Sequence, residues 1–142
     1  MQKIGRYESA YLFIWLLVWY STVGEWIPAV VLILWSCSLS SYFMLTSQYN
    51  LRSEDAPKLL KIFDIIGGIS TSLLMMGLLF RTMLYPGYSM ILNIGMIALI
   101  VQVSLLGVPR IRNHVMPDMG KLMIRYVILG GVGGFYWLVY LI

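Results

Sequence analysis

The chain has 142 residues, of which 60% are hydrophobic and 11% charged, with a formal net charge of +4. Soluble domains run nearer half apolar and a quarter charged, so this composition has too little polar surface to coat a globule and excludes an ordinary soluble fold. The positive balance does not point to nucleic acid, because the cations flank apolar runs instead of forming a basic patch.

In chain order, the first apolar run is "YLFIWLLVWY", preceded by Lys3 and Arg6. This has the charged and apolar regions of a secretory leader, but the following "STVGE" lacks a small-x-small cleavage site. It therefore reads as a retained first helix over about 7–23. "VGEWIP" breaks the chain next, with Gly24 and Pro28 as interruptions and Trp26 suited to a membrane interface. A second helix is expected over about 26–47.

The stretch from Leu59 to Gly107 is apolar almost without a gap. A helix rises about 1.5 Å per residue, so this stretch as one helix would be about 73 Å long, whereas crossing about 30 Å of hydrocarbon takes about 20 residues. It must fold back. "YPGY" supplies the reversal: Pro86 lacks an N–H and disfavours helix at Tyr85, and Gly87 can take positive φ. The spacing predicts spans over about 60–84 and 88–107, and a last apolar stretch forms a fifth over 121–142. Residues 1–142 then make one all-α transmembrane domain: two hairpins and a C-terminal helix, joined by the polar linkers "SQYNLRSEDAPK" and "VPRIRNHVMPDMGK".

In this arrangement the N-terminus and both linkers share one side. They and their flanks carry Lys3, Arg6, Arg52, Lys58, Lys61, Arg110, Arg112, Lys121 and Arg125, leaving only Arg81 toward the other. The positive-inside rule then puts the N-terminus in the cytoplasm and the C-terminus outside. A four-span arrangement would scatter these charges over both sides.

Chemistry-bearing residues are few. Cys37 is the only cysteine, which excludes an internal disulfide and a thiolate cluster, and His114 is the only histidine. Metal and haem sites, and cofactors generally, are not expected. The sequence holds no HExxH, no GxSxG and no paired carboxylates beyond Glu54 and Asp55 in a linker. Arg81, about one turn from its helix end, has two readings: a snorkelling side chain, or a fixed cation for an anionic lipid head or a carboxylate, with Glu25 as the partner within the chain. Asp64, Gly68, Thr71, Met75 and Thr82 fall on one helical face. That face is read first as a packing surface, with Gly68 and Thr71 allowing close approach, and second as a polar path with Asp64 at its mouth. Asn93 is the embedded amide expected to bond to a neighbouring helix. Gly130 and Gly134, in "GGVGG", form a GxxxG contact surface on the side of Tyr126 and Trp137. The serines at 36, 38, 40 and 41 imply no substrate, since a serine hydroxyl can bond back to its own helix.

The hairpin "GLLFRTMLYPGYSMILNIG", Gly77 to Gly95, resembles a segment of small inner-membrane proteins of the Bacteroidota: Gly, "LFK", an aromatic-Pro-Gly turn, then a helix with "IG". The GldL family of gliding-motility and type IX secretion motor proteins contains a related hairpin. The resemblance covers about residues 67–107, with Arg81 in the lysine position. It implies a bacterial inner-membrane setting. The motor family carries an acidic residue shortly after the "IG", where "IGMIALIVQV" has Leu99 and no carboxylate, and it has two spans and a long soluble tail. Motor activity and a proton site are therefore not carried over.

Three functions are weighed. The first is a non-catalytic membrane subunit that packs in the lipid bilayer against another membrane protein or copies of itself. The second is a small oligomeric transporter or pore, lined by the Asp64/Thr71 or the Asn93 face. The third is an enzyme acting on lipid near Glu54, Asp55 or Asp118.

Overall fold

The computed structural model describes residues 7–26, 28–52, 58–116 and 119–141, and every regular element among them is helical. In chain order these are α1 (Glu8–Val23), α2 (Ala29–Arg52), α3 (Lys58–Thr82), α4 (Tyr88–Leu105), the short α5 (Pro109–Val115) and α6 (Met119–Arg125), one π-helical turn (Tyr126–Gly130) and α7 (Gly131–Leu141). Four stretches are long and apolar enough to cross a membrane: Ala29–Ser47, Lys58–Thr82, Tyr88–Leu105 and Met119–Val139. The expected span over 7–23 is α1, which has 16 residues. At about 1.5 Å per residue it reaches about 24 Å, short of an upright crossing of about 30 Å.

The two chain reversals share one construction. α1 closes with the Trp26 N–H on the Ser21 carbonyl at 2.9 Å and the Glu25 N–H on the Thr22 carbonyl at 3.0 Å. α3 closes with the Tyr85 N–H on the Phe80 carbonyl at 2.9 Å and the Leu84 N–H on the Arg81 carbonyl at 3.1 Å. This bond pair ends a helix by placing the next residue in the left-handed region, where glycine is usual. Here the residues are Glu25 at φ 60° and Leu84 at φ 56°. The breaking glycines sit elsewhere: Gly24 keeps φ −79°, and Gly87, at φ 86°, opens α4.

α3 is the central helix, with α2 and α4 packed along it. Missing side chains let them close in: a Cβ on Gly68 would run into Ser47 and the Phe43 carbonyl of α2, and one on Gly67 would run into the Gln102 amide of α4. Beyond these contacts Leu74, Met75 and Leu78 form a fully buried ridge with Leu12 and Trp15 of α1, Leu32 of α2 and Leu129 of the π turn.

The second linker is more structured than its polarity predicts. Pro109 opens α5 in the first helical turn, where its missing N–H breaks no bond. Ile111 and Val115, four residues apart and so on one face, are buried with Phe63 and Leu122 in a second, smaller cluster. The last stretch is not one uninterrupted α-helix, because the π turn begins directly after Arg125.

Candidate functional site

At the end of the bundle where α1 begins, α2 nears its end and α3 starts, a cavity of about 160 Å³ is lined by Glu8, Phe43, Thr46, Ser47, Asp64, Gly68 and Arg125. Its centre is an ion pair. Arg125, the last residue of α6, donates from Nη2 to Oε1 of Glu8, the first residue of α1. The two side chains are 14% and 13% exposed, so this pair is largely withdrawn from water, where a stranded partner would be costly. The guanidinium also lies over the Phe43 ring, 4.7 Å from its centroid, an attraction that grows as the cation is desolvated. Its buried Nε has no hydrogen-bond partner, and neither has the buried hydroxyl of the next residue, Tyr126.

The floor follows from the α2–α3 contact. With hydrogen at Gly68, Ser47 lies against the α3 backbone. The Ser47 hydroxyl donates to the Met44 carbonyl at 2.8 Å, and the Thr46 hydroxyl donates to the Tyr42 carbonyl at 2.9 Å. With their protons turned to the backbone, both hydroxyls offer only lone pairs to anything else. The π turn beside Arg125 widens the helix at this point, and such turns are frequent at functional sites.

Of the residues expected to act, Asp64 and Gly68 line this cavity. Thr71, two turns beyond Asp64 on α3, is fully buried and its hydroxyl has no partner. Arg81 is at the opposite end. It donates from Nη1 to the Tyr88 hydroxyl at 2.9 Å, and its guanidinium lies 4.9 and 5.6 Å from the ring centroids of Tyr88 and Tyr136. Glu25 is exposed at the end of α1, and no ion pair joins it to Arg81 among the described residues. The Asn93 side-chain oxygen accepts the Trp137 indole N–H at 2.6 Å. Gly130 faces Leu99, and Gly134 faces Met96 at 3.7 Å, so both point into the bundle at α4. Glu54, Asp55 and Asp118 lie outside the described residues. Among the described residues no group of His, Cys, Asp and Glu side chains is placed to hold a metal ion.

Glu8 and Arg125 were missed as a site because the sequence offers one only as the start of an apolar run and the other only as a flanking cation. A usable signal was present: Glu8 opens its expected span and Arg125 lies about one turn inside its own, at the same expected end. Three further helix-to-helix bonds were also missed. The Trp15 indole donates to the Ser36 hydroxyl at 2.8 Å, the Trp19 indole to the Thr82 hydroxyl at 3.0 Å, and the Ser40 and Ser72 hydroxyls bond to each other. Of the serines at 36, 38 and 40, Ser38, exposed, is the one that returns its hydroxyl to its own helix, at the Leu34 carbonyl 2.8 Å away. No family model, curated protein or solved structure matches this chain.

Proposed function

We propose that the protein is a small, non-catalytic subunit of a bacterial inner-membrane complex, packing through its outward apolar faces against a larger membrane protein or against copies of itself. One observation carries this reading: four side-chain hydrogen bonds in the interior fasten helix to helix. Trp15 to Ser36, Ser40 to Ser72, Trp19 to Thr82 and Trp137 to Asn93 tie α1 to α2, α2 to α3, α1 to α3 and α7 to α4. Polar side chains consumed in this way line no route for a solute. The outer elements are left apolar and outward-facing, with only 28% of the Tyr88–Leu105 stretch and 17% of Met119–Val139 buried.

In this reading α1 is a fifth membrane helix. Its contacts run from Glu8 at the charged cavity, through Trp15 on Ser36, to Trp19 on Thr82 at the far end of α3. A short helix is accommodated by local thinning of the bilayer at modest cost. Five crossings bring Lys58, Lys61, Arg110, Arg112, Lys121 and Arg125 to one side, which the positive-inside rule assigns to the cytoplasm, with the C-terminus outside.

A second reading, an oligomeric transporter, is favoured by the unpartnered Thr71 hydroxyl two turns beyond Asp64 on the helix that lines the cavity. Purification from native membranes in mild detergent, with native mass measurement, separates the two. A stoichiometric foreign partner supports the subunit reading. A ring of self-copies that leaks ions in liposomes, with the leak changed by Asp64→Asn, replaces it with the transporter.

A further inference from the structure

The end opposite the cavity holds a cation with an aromatic mount and, among the described residues, no carboxylate paired with it. Arg81 lies in the last turn of α3, one turn before the reversal at Pro86 and Gly87. Tyr88 and Tyr136 flank its guanidinium, and one of its donors is fixed on the Tyr88 hydroxyl. A guanidinium has five N–H donors in a planar fork, so this single bond leaves most of the fork available. Among the described residues its contacts are these two tyrosines, and no carboxylate pairs with it.

Large apolar side chains are exposed in the two reversals at this end. Leu84 is 80% exposed, Trp26 78% and Tyr85 55%. Leu84 holds this outward position at φ 56°, a backbone conformation unfavourable for leucine. Exposed tryptophan and tyrosine beside an exposed leucine suit the boundary between hydrocarbon and headgroups. A guanidinium half-withdrawn from water at that depth needs an anion, and the anion present there is the lipid phosphate, whose oxygens match the fork in pairs.

We propose that Arg81, oriented by Tyr88 and Tyr136, is a binding site for the phosphodiester group of a phospholipid in the leaflet at the hairpin-tip end. The proposal rests on the chain crossing a membrane and not on which complex it joins. Tyr88 and Tyr136 are positioning residues: they restrict the guanidinium so that its remaining edge faces the headgroup layer.

The test is native mass spectrometry of the full-length protein in detergent, titrated with phosphatidylglycerol, with helical content and melting temperature recorded for each variant. The wild type is expected to retain one lipid that Arg81→Gln binds at least tenfold more weakly. Arg81→Lys, which keeps the charge but loses the fork, should bind at least threefold more weakly, and Tyr88→Phe, which frees the guanidinium, by a similar factor. Unchanged affinity in Arg81→Gln would reduce Arg81 to a snorkelling side chain and overturn the proposal. If Arg81→Gln does not fold, unchanged affinity in both Arg81→Lys and Tyr88→Phe overturns it equally. Inorganic phosphate at millimolar concentration should leave the bound lipid in place. Its displacement at those concentrations would mean that the site takes free phosphate and not a lipid.

Discussion

Removing both partners of the Glu8–Arg125 pair should damage the protein by less than the sum of the two single losses. Two unit charges about 4 Å apart at an effective dielectric constant of about 20 attract by about 4 kcal/mol. With the side chains 14% and 13% exposed, desolvation takes back part of this, leaving an expected coupling of about 2 kcal/mol. Arg125→Met keeps an aliphatic stem but removes the charge, strands the Glu8 carboxylate and should destabilise by about 3 kcal/mol. Glu8→Gln strands the guanidinium, although the Phe43 face still holds it, so the expected loss is smaller, about 2 kcal/mol. The double variant should lose only about 3 kcal/mol, because nothing charged is left unpaired. The assay is a double-mutant cycle by denaturant titration in micelles, followed by circular dichroism and tryptophan emission. Losses that add to within about 0.5 kcal/mol would show that the pair does not couple, and the latch between α1 and α6 would have to be abandoned.

Other consequences are local. Gly68→Ala should destabilise by about 1–3 kcal/mol, because its methyl meets Ser47 and the Phe43 carbonyl. Gly131→Ala, with nothing within 4 Å of the new Cβ, should be neutral or stabilise by up to about 1 kcal/mol through helix propensity; equal losses in the two variants would contradict the packing described. Leu84→Gly should raise stability by about 1 kcal/mol, since Leu84 sits at φ 56° and buries little; a loss in the same denaturant titration would mean that the leucine makes a contact outside the bundle. Asn93→Leu should cost about 0.6–1.7 kcal/mol, the range for a hydrogen bond inside a membrane bundle, and combining it with Trp137→Phe should add little. Cys37 is exposed on α2, so in intact membranes it should react with a lipid-soluble maleimide and resist a charged one; rapid charged labelling would place that face in water.

Composition and spacing made the helices legible. Runs such as "GGISTSLLMMGLLF" carry no charged residue, and the length of a helical turn set against the bilayer thickness requires the chain to reverse near Pro86. What the sequence could not supply was partnership. Helical periodicity fixes which residues share a face but not which helix meets that face. Asp64 and Gly68 could therefore be grouped from the sequence, whereas Glu8 and Arg125, 117 residues apart, could not. The helix ends were also hidden: glycine predicts a left-handed position, yet backbone bonds to Ser21 and Phe80 impose it on Glu25 and Leu84. Local preferences near 1 kcal/mol per residue yield to such bonds and to core packing. The sequence thus determined an all-helical chain, its solvent and its reversals. Tertiary packing decided which charges meet and which polar groups tie the helices together, because those depend on interhelical register, which no single helix encodes.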